Sequence, residues 1–177
     1  MKNIDKILSK EFKNNRILLL SFESRKYKEN TEHLIKYSIN KFKKTCYISL
    51  NYPYESILSN LDTNKEKIFF IDCVTATVKQ PKSIKGVVFV SSPHALTEIS
   101  IALEKTMEKE KIDFVLFDSI SAILIYESPL LVMKFIHRLI LMLRKENIYA
   151  TFLIMKEDIK TELMKDLAMF VDKIVEL

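Results

Sequence analysis

Short apolar runs without alternation recur along this chain, and they restrict its fold more than any other feature does. They fall at residues 17–22, 45–50, 67–72, 87–90, 113–118, 149–154 and 171–177. A strand with one wet face alternates apolar with polar residues, whereas an unbroken run belongs to a strand covered on both faces, as in a parallel sheet. Most of the intervening segments have helical spacing. Residues 3–13 place Ile4, Ile7, Leu8 and Phe12 on one side, and residues 30–43 do the same with Leu34, Ile35, Ile39 and Phe42. Pro53 opens a short helix through Leu58 and Leu61, and Ser92-Pro93 reads as the N-cap and first residue of a helix ending near Lys111. Further helices are expected at 129–146 and 157–169, while residues 74–86 have no clear period and read as a connection. Strand–helix alternation of this kind predicts a three-layer α/β/α domain with a mainly parallel central sheet, formed as one unit by residues 1–177.

The chain has a single glycine, Gly86, far from any strand-to-helix turn that would cradle a phosphate. Phosphate-binding loops use glycine because the backbone adopts positive φ and approaches the ligand closely. The sequence therefore has the alternation of a nucleotide-binding domain without the residues of its usual loop.

Composition excludes several classes. No stretch approaches the 18 or so uncharged apolar residues that span a bilayer, and the N-terminus lacks the apolar core of a signal peptide, so a cytoplasmic location is expected. Cys46 and Cys73 lie in or after buried runs without CxxC spacing and read as free thiols, not metal ligands. The net charge of +5 is uneven: residues 1–44 hold 12 Lys/Arg against 5 Asp/Glu. That basic quarter is a conceivable nucleic-acid surface, but its lysines are spread over two helices with few aromatics between them.

Ligands of open parallel sheets bind beyond the carboxyl ends of the strands. The residues there are Lys28 in the loop after the first strand, Asn51, Asp72, Ser91-Ser92 and Asp118-Ser119. The run Ile112-Asp113-Phe114-Val115-Leu116-Phe117-Asp118-Ser119-Ile120-Ser121 resembles the Walker B strand of the RecA-like ATPases of the KaiC and RadA branch. The tail Asp172-Lys173-Ile174-Val175-Glu176-Leu177 resembles that branch's closing strand, and residues 45–61 resemble its second strand–helix unit. The resemblance implies a P-loop-type fold, a tendency to self-associate, and a nucleotide cleft at Lys28, Asp118 and Ser119.

Departures from the pattern point away from its chemistry. The Walker A frame falls on Phe22-Glu23-Ser24-Arg25-Lys26-Tyr27-Lys28-Glu29, with aromatics at both glycine positions and Glu29 where a hydroxyl would meet Mg²⁺. The position of the family's catalytic glutamate holds Asn51, which cannot act as a general base. The expectation is therefore a non-hydrolytic pseudo-ATPase, not an enzyme, with no cofactor and no metal, acting as a regulatory or scaffolding protein through a protein partner or its own copies. Two alternatives stay open: a nucleotide sensor using a rearranged loop around Lys26, Lys28 and Asp118, and an accessory factor in DNA recombination or repair. Asp118 itself is expected to be a relic capped by Ser119 or backbone amides.

His33, His94 and His137 fall in separate helical segments without triad-like neighbours, and Asn51-Tyr52-Pro53-Tyr54 reads as tyrosines packing over a vacated cleft. The 129–146 segment is apolar around most of its circumference. A helix of that kind is buried on more than one side or completed by a partner. Leu131, Phe135, Ile136, Leu139, Ile140 and Leu143 are the candidate interface residues.

Overall fold

The computed structural model describes residues 2–61, 65–158 and 162–177. Seven strands form one sheet: β1 (Ile17–Phe22), β2 (Thr45–Ser49), β3 (Ile68–Asp72), β4 (Val87–Phe89), β5 (Phe114–Asp118), β6 (Tyr149–Met155) and β7 (Lys173–Glu176). Their spatial order is β4-β3-β2-β5-β6-β1-β7, and every pairing is parallel. The unbroken apolar runs have their predicted consequence. Strands β1, β2, β3 and β5 are buried along their whole length, β6 is buried except at its two end residues, and the terminal strands β4 and β7 are the more exposed.

Helices cover both faces. On one lie α1 (Lys2–Glu11), α2 (Tyr27–Lys41) and α3 (Tyr54–Ser59), packing Leu8, Phe12, Leu34 and Ile35 against Leu18, Leu20, Tyr47, Phe70 and Leu116. On the other lie α5 (Leu96–Glu110), α6 (Ile120–Leu124), α7 (Pro129–Lys145) and α8 (Glu162–Ala168), which cover Ile17, Leu19, Ile48, Ile71 and Phe117. The chain steps outward from β1 to β4 with α2 and α3 on the first face, then returns through β5, β6 and β7 with α5 to α8 on the second. Crossovers of constant hand require that change of face when the direction reverses.

Local boundaries differ from the sequence reading where a tertiary contact intervenes. Ser92 does not cap a helix: α5 begins at Leu96 after a turn in which the Ala95 amide meets the Ser92 carbonyl at 3.2 Å, and Ala95 is the N-cap. Pro53 is likewise the N-cap of α3 and not its first residue. The 74–86 connection contains a one-turn helix, α4 (Thr75–Val78). Pro129 sits in the first turn of α7, where Ser128 caps the Leu131 amide at 3.4 Å. Part of the helix expected at 157–169 lies outside the described residues; a 3-10 turn at Lys156–Asp158 precedes them and α8 follows. The lone glycine serves the turn into β4. Its φ is +83°, its carbonyl accepts the Phe70 amide at 2.8 Å, and an added Cβ would meet nothing within 4 Å, so backbone conformation alone calls for glycine there.

The apolar helix α7 is largely core. Phe135, Ile136, Leu139, Ile140 and Leu143, expected at an interface, are buried against the sheet and the neighbouring helices of this same domain. The correction has a simple cause: α7 lies in a groove between α5 and α8, so most of its circumference is already covered. His137 stacks on Phe170 at 3.9 Å, and Arg144 donates to the Phe170 carbonyl at 3.0 Å and to Asp172 at 2.6 Å. Of the six expected residues only Leu131, 43% exposed, reaches the surface, beside the exposed Leu130. Ile140→Asp would bury an unpaired carboxylate at a cost of several kcal/mol, comparable to the roughly 5–15 kcal/mol net stability of a domain. It is expected to abolish the cooperative melt followed by circular dichroism, whereas Leu131→Asp is expected to melt within a few degrees of the parent.

Candidate functional site

The β2 and β5 strands are neighbours whose onward connections leave on opposite faces of the sheet. A crevice opens beyond the carboxyl ends at such a divergence, and that is where open α/β sheets take their ligands. In this protein the crevice is floored by Asp118, the last residue of β5, paired in register with Ser49 of β2. Period-two geometry points Asp118 to the α2/α3 face, together with Leu116 and Phe114, and Tyr47 of β2 reaches it from the same face.

Asp118 is fully buried and enclosed by its own chain. The hydroxyls of Tyr27 and Tyr47 both donate to its carboxylate, one to each oxygen. Asn51 Nδ2 donates to the Tyr27 hydroxyl at 2.7 Å, to Asp118 Oδ1 at 3.5 Å and to Ser119 Oγ at 3.4 Å. Tyr52 lies over Tyr27, ring centroids 6.1 Å apart and planes 28° from parallel. The expected cap by Ser119 or backbone amides is not the arrangement found. Ser119 instead caps α6 by accepting the Ala122 amide at 3.3 Å, and phenols and an amide side chain hold the carboxylate. Burial pushes the Asp118 carboxyl up to about 6, although the hydrogen bonds from Tyr27, Tyr47 and Asn51 act the other way. The same burial, with the neighbouring carboxylate, drives both phenols well above their ordinary range.

The residues of the Walker A frame separate. Phe22 closes β1 in the core, and a 3-10 turn at Ser24–Lys26 leads directly into α2. Tyr27, at the second glycine position, is the first residue of that helix and turns inward onto Asp118. Lys28, one step round the helix, is exposed and makes no contact with Asp118 among the described residues; it lines a cavity of about 260 Å³ between α2 and α3 with Thr31, Tyr47, Tyr52 and Asn60. That volume is at the small end for a ligand pocket, typically about 300–1,000 Å³. At the mouth, Ser24 donates its amide at 3.4 Å and its hydroxyl at 3.0 Å to Glu157, so these donors are already matched with a carboxylate. Glu23 pairs with Arg25 at 2.5 Å.

Asp72 belongs to the scaffold rather than to the crevice. It accepts the amides of Tyr54 at 2.9 Å and of Val74 and Thr75 at 2.8 Å, and the Thr75 hydroxyl at 2.6 Å, so it ties the start of α3 to that of α4. His33 bonds Asp5 at 2.8 Å and His94 packs on Tyr126 at 5.5 Å, far from the network. Both cysteines are buried and free, and burial raises their thiols. Among the described residues no group of three His, Cys, Asp or Glu side chains is placed to hold a metal, and no helix is long and apolar enough to cross a membrane. Tyr47 was missed at the sequence level because it sits mid-strand and reads as one more apolar core residue.

The architecture is a seven-stranded, wholly parallel α/β sheet in which an aspartate ends a central strand at the divergence point. The fold is similar to that of a KaiC-like protein from the hyperthermophilic archaeon Pyrococcus horikoshii, with a TM-score of 0.65 and 10% identity over 92% of this chain and 70% of that one. At that identity the likeness is one of fold. No family model matches the chain, and no curated protein matches it.

The native Asp118 keeps its proton up to about pH 6, while the unfolded chain releases it near 3.8. Between these values the native state binds more protons. This contribution to stability is therefore complete below about pH 4 and lost as the pH rises through 6, a change of roughly 3 kcal/mol. Asp118→Asn does not titrate. In urea denaturation its stability relative to the parent should improve by up to roughly 3 kcal/mol from pH 4 to pH 7.5; a pH-independent difference would contradict the burial argument.

Proposed function

We propose that this protein is a KaiC-like pseudo-ATPase that does not hydrolyse nucleotide and works as a regulatory or scaffolding component through protein contacts. The observation that carries this reading is the Tyr27 side chain seated on Asp118. In a working site of this architecture the carboxylate at the end of that strand faces a metal ion and phosphates. Here a phenol donates to it, Tyr47 and Asn51 complete its shell, and Glu157 takes the loop donors that an anion would use. Opening the site would mean breaking the hydrogen bonds of a buried carboxylate, which are among the stronger ones in a protein.

Protein contacts are supported by the corner between α6 and α7. Ile125 is 74% exposed there and Tyr126 61%, next to Leu130 and Leu131. Four large apolar side chains grouped on one corner form the kind of patch that soluble domains keep for a partner. The second reading, a nucleotide sensor with a rearranged site, draws on Lys28 and its cavity.

Thermal unfolding with and without millimolar ATP and Mg²⁺ separates the two readings. A ligand present at 100 times its dissociation constant adds about 2.7 kcal/mol to the folded state. No shift is expected for the parent. A solution mass above monomer that Leu131→Asp returns to monomer would identify the α6–α7 corner as the contact. A shift of several degrees would overturn the pseudo-ATPase reading and make Lys28 and Asp118 the first residues to change.

A further inference from the structure

All seven strands are parallel, so all seven begin at one edge of the sheet. The chain reaches that edge past a lysine or arginine every time. Lys13 and Arg16 precede β1, Lys43 and Lys44 precede β2, and Lys65 and Lys67 precede β3. Lys85 precedes β4, Lys111 precedes β5, Lys145 precedes β6, and Lys173 opens β7. In sequence these residues are scattered over the whole chain. In the fold they form a row across the sheet.

Several carboxylates at the same edge are engaged by backbone amides or by a cation. Asp113 accepts the amides of Lys43 and Lys44 at 2.9 and 2.8 Å, and Asp172 accepts those of Arg16 and Ile17 at 2.8 Å. Glu110 is paired with Lys44, and Glu146 stands 3.7 Å from Lys145. Glu66 and Glu108 also stand at this edge with exposed side chains. Lys13, Lys43, Lys85, Lys111 and Lys173 are exposed and have no carboxylate partner among the described residues. Helix dipoles favour cations in a last turn and so account for Lys41, Lys109 and Lys145. They do not account for Lys85 or Lys173, which stand clear of any helix end. A cleft of about 540 Å³ opens on this edge, lined by Lys44, Lys65 and Lys85 together with Glu66 and Glu110.

We infer that the edge where the strands begin is a docking surface for the phosphate backbone of duplex nucleic acid. Adjacent strands lie about 4.8 Å apart, so a row across seven strands is roughly 29 Å long, about eight base-pair steps at 3.4 Å along a duplex axis. Exposed tyrosines that would stack on unpaired bases, Tyr52 and Tyr126, lie at the opposite edge. Of the aromatics near the row, Tyr149 is covered by the Arg16 guanidinium at 5.3 Å from its centroid, and Phe42 is stacked on Phe114 at 4.3 Å. Contacts to phosphate without stacking suit a duplex, bound without regard to its sequence.

The test is fluorescence anisotropy of a labelled mixed-sequence duplex of about 20 base pairs, titrated with the full chain between 50 and 200 mM salt. Neutralising four or five phosphates gives a slope of log affinity against log salt near −4, so affinity should fall roughly 250-fold over that range. Lys43→Glu, Lys85→Glu, Lys111→Glu and Lys173→Glu combined should weaken binding at least tenfold and flatten the salt dependence. Lys79→Glu with Lys156→Glu, at the opposite edge, should bind as the parent does, and all variants are to be compared with their melting curves. Should the fourfold variant fail to fold, Lys85→Gln with Lys173→Gln serves instead, with a several-fold loss expected. The inference is overturned by the absence of binding at 50 mM salt, by equal loss in the opposite-edge variant, or by binding to phosphatidylserine vesicles with none to the duplex.

Discussion

The whole molecule depends on a sheet that is parallel throughout and covered on both faces. Parallel pairing gathers every strand end at one edge and every strand beginning at the other, and burial on both faces removes water from everything between them. The protein therefore has two chemically distinct poles. One carries the loops after the strands, with Asp118, Tyr27, Tyr47 and Asn51 at the divergence of β2 and β5. The other carries the helix-to-strand turns and their lysines. A mixed or antiparallel sheet of the same composition would have interleaved the two sets and left neither pole.

At the first pole the governing term is desolvation. A carboxylate without water is tolerated only if donors replace it, and here they come from two phenols and one amide on three different segments of the chain. The arrangement fixes the start of α2 over the sheet and brings Tyr27 into the space that a glycine-rich turn would leave open. It also explains why Lys28 faces outward: neighbours on a helix point about 100° apart, so the residue after an inward Tyr27 cannot share its direction. The buried aspartate and the start of α2 are one structure, because the hydrogen bond that satisfies the first also fixes the second.

Much of the architecture was legible in the residues. The unbroken runs at 17–22, 45–50, 67–72 and 113–118 announced buried parallel strands, and each strand lies within a residue of its expected place. Misreadings arose where one local signal had two physical uses. Ser92-Pro93 has the chemistry of a helix start, but the chain needs three more residues to clear β4 before α5 begins. The apolar surface of α7 was equally compatible with an interface and with a groove between α5 and α8, and only packing chose the groove for Phe135, Ile136, Leu139, Ile140 and Leu143. Ser119 was a reasonable partner for Asp118 by adjacency, yet its hydroxyl turned to cap α6.

The sequence by itself determined the class of fold and the absence of a glycine-rich turn after the first strand, because strand burial and glycine content are properties of residues in a row. It also determined that Asp118 ends a buried strand. The tertiary structure decided what surrounds that aspartate and how charge is distributed. Tyr27, Tyr47 and Asn51 are 20 or more residues apart or in different elements, and nothing local links them. The excess of lysine that reads along the chain as a basic first quarter becomes, in three dimensions, a row to which every strand contributes. Periodicity is written in nearest neighbours, whereas a site or a charged surface is made by residues that only the strand order β4-β3-β2-β5-β6-β1-β7 brings together.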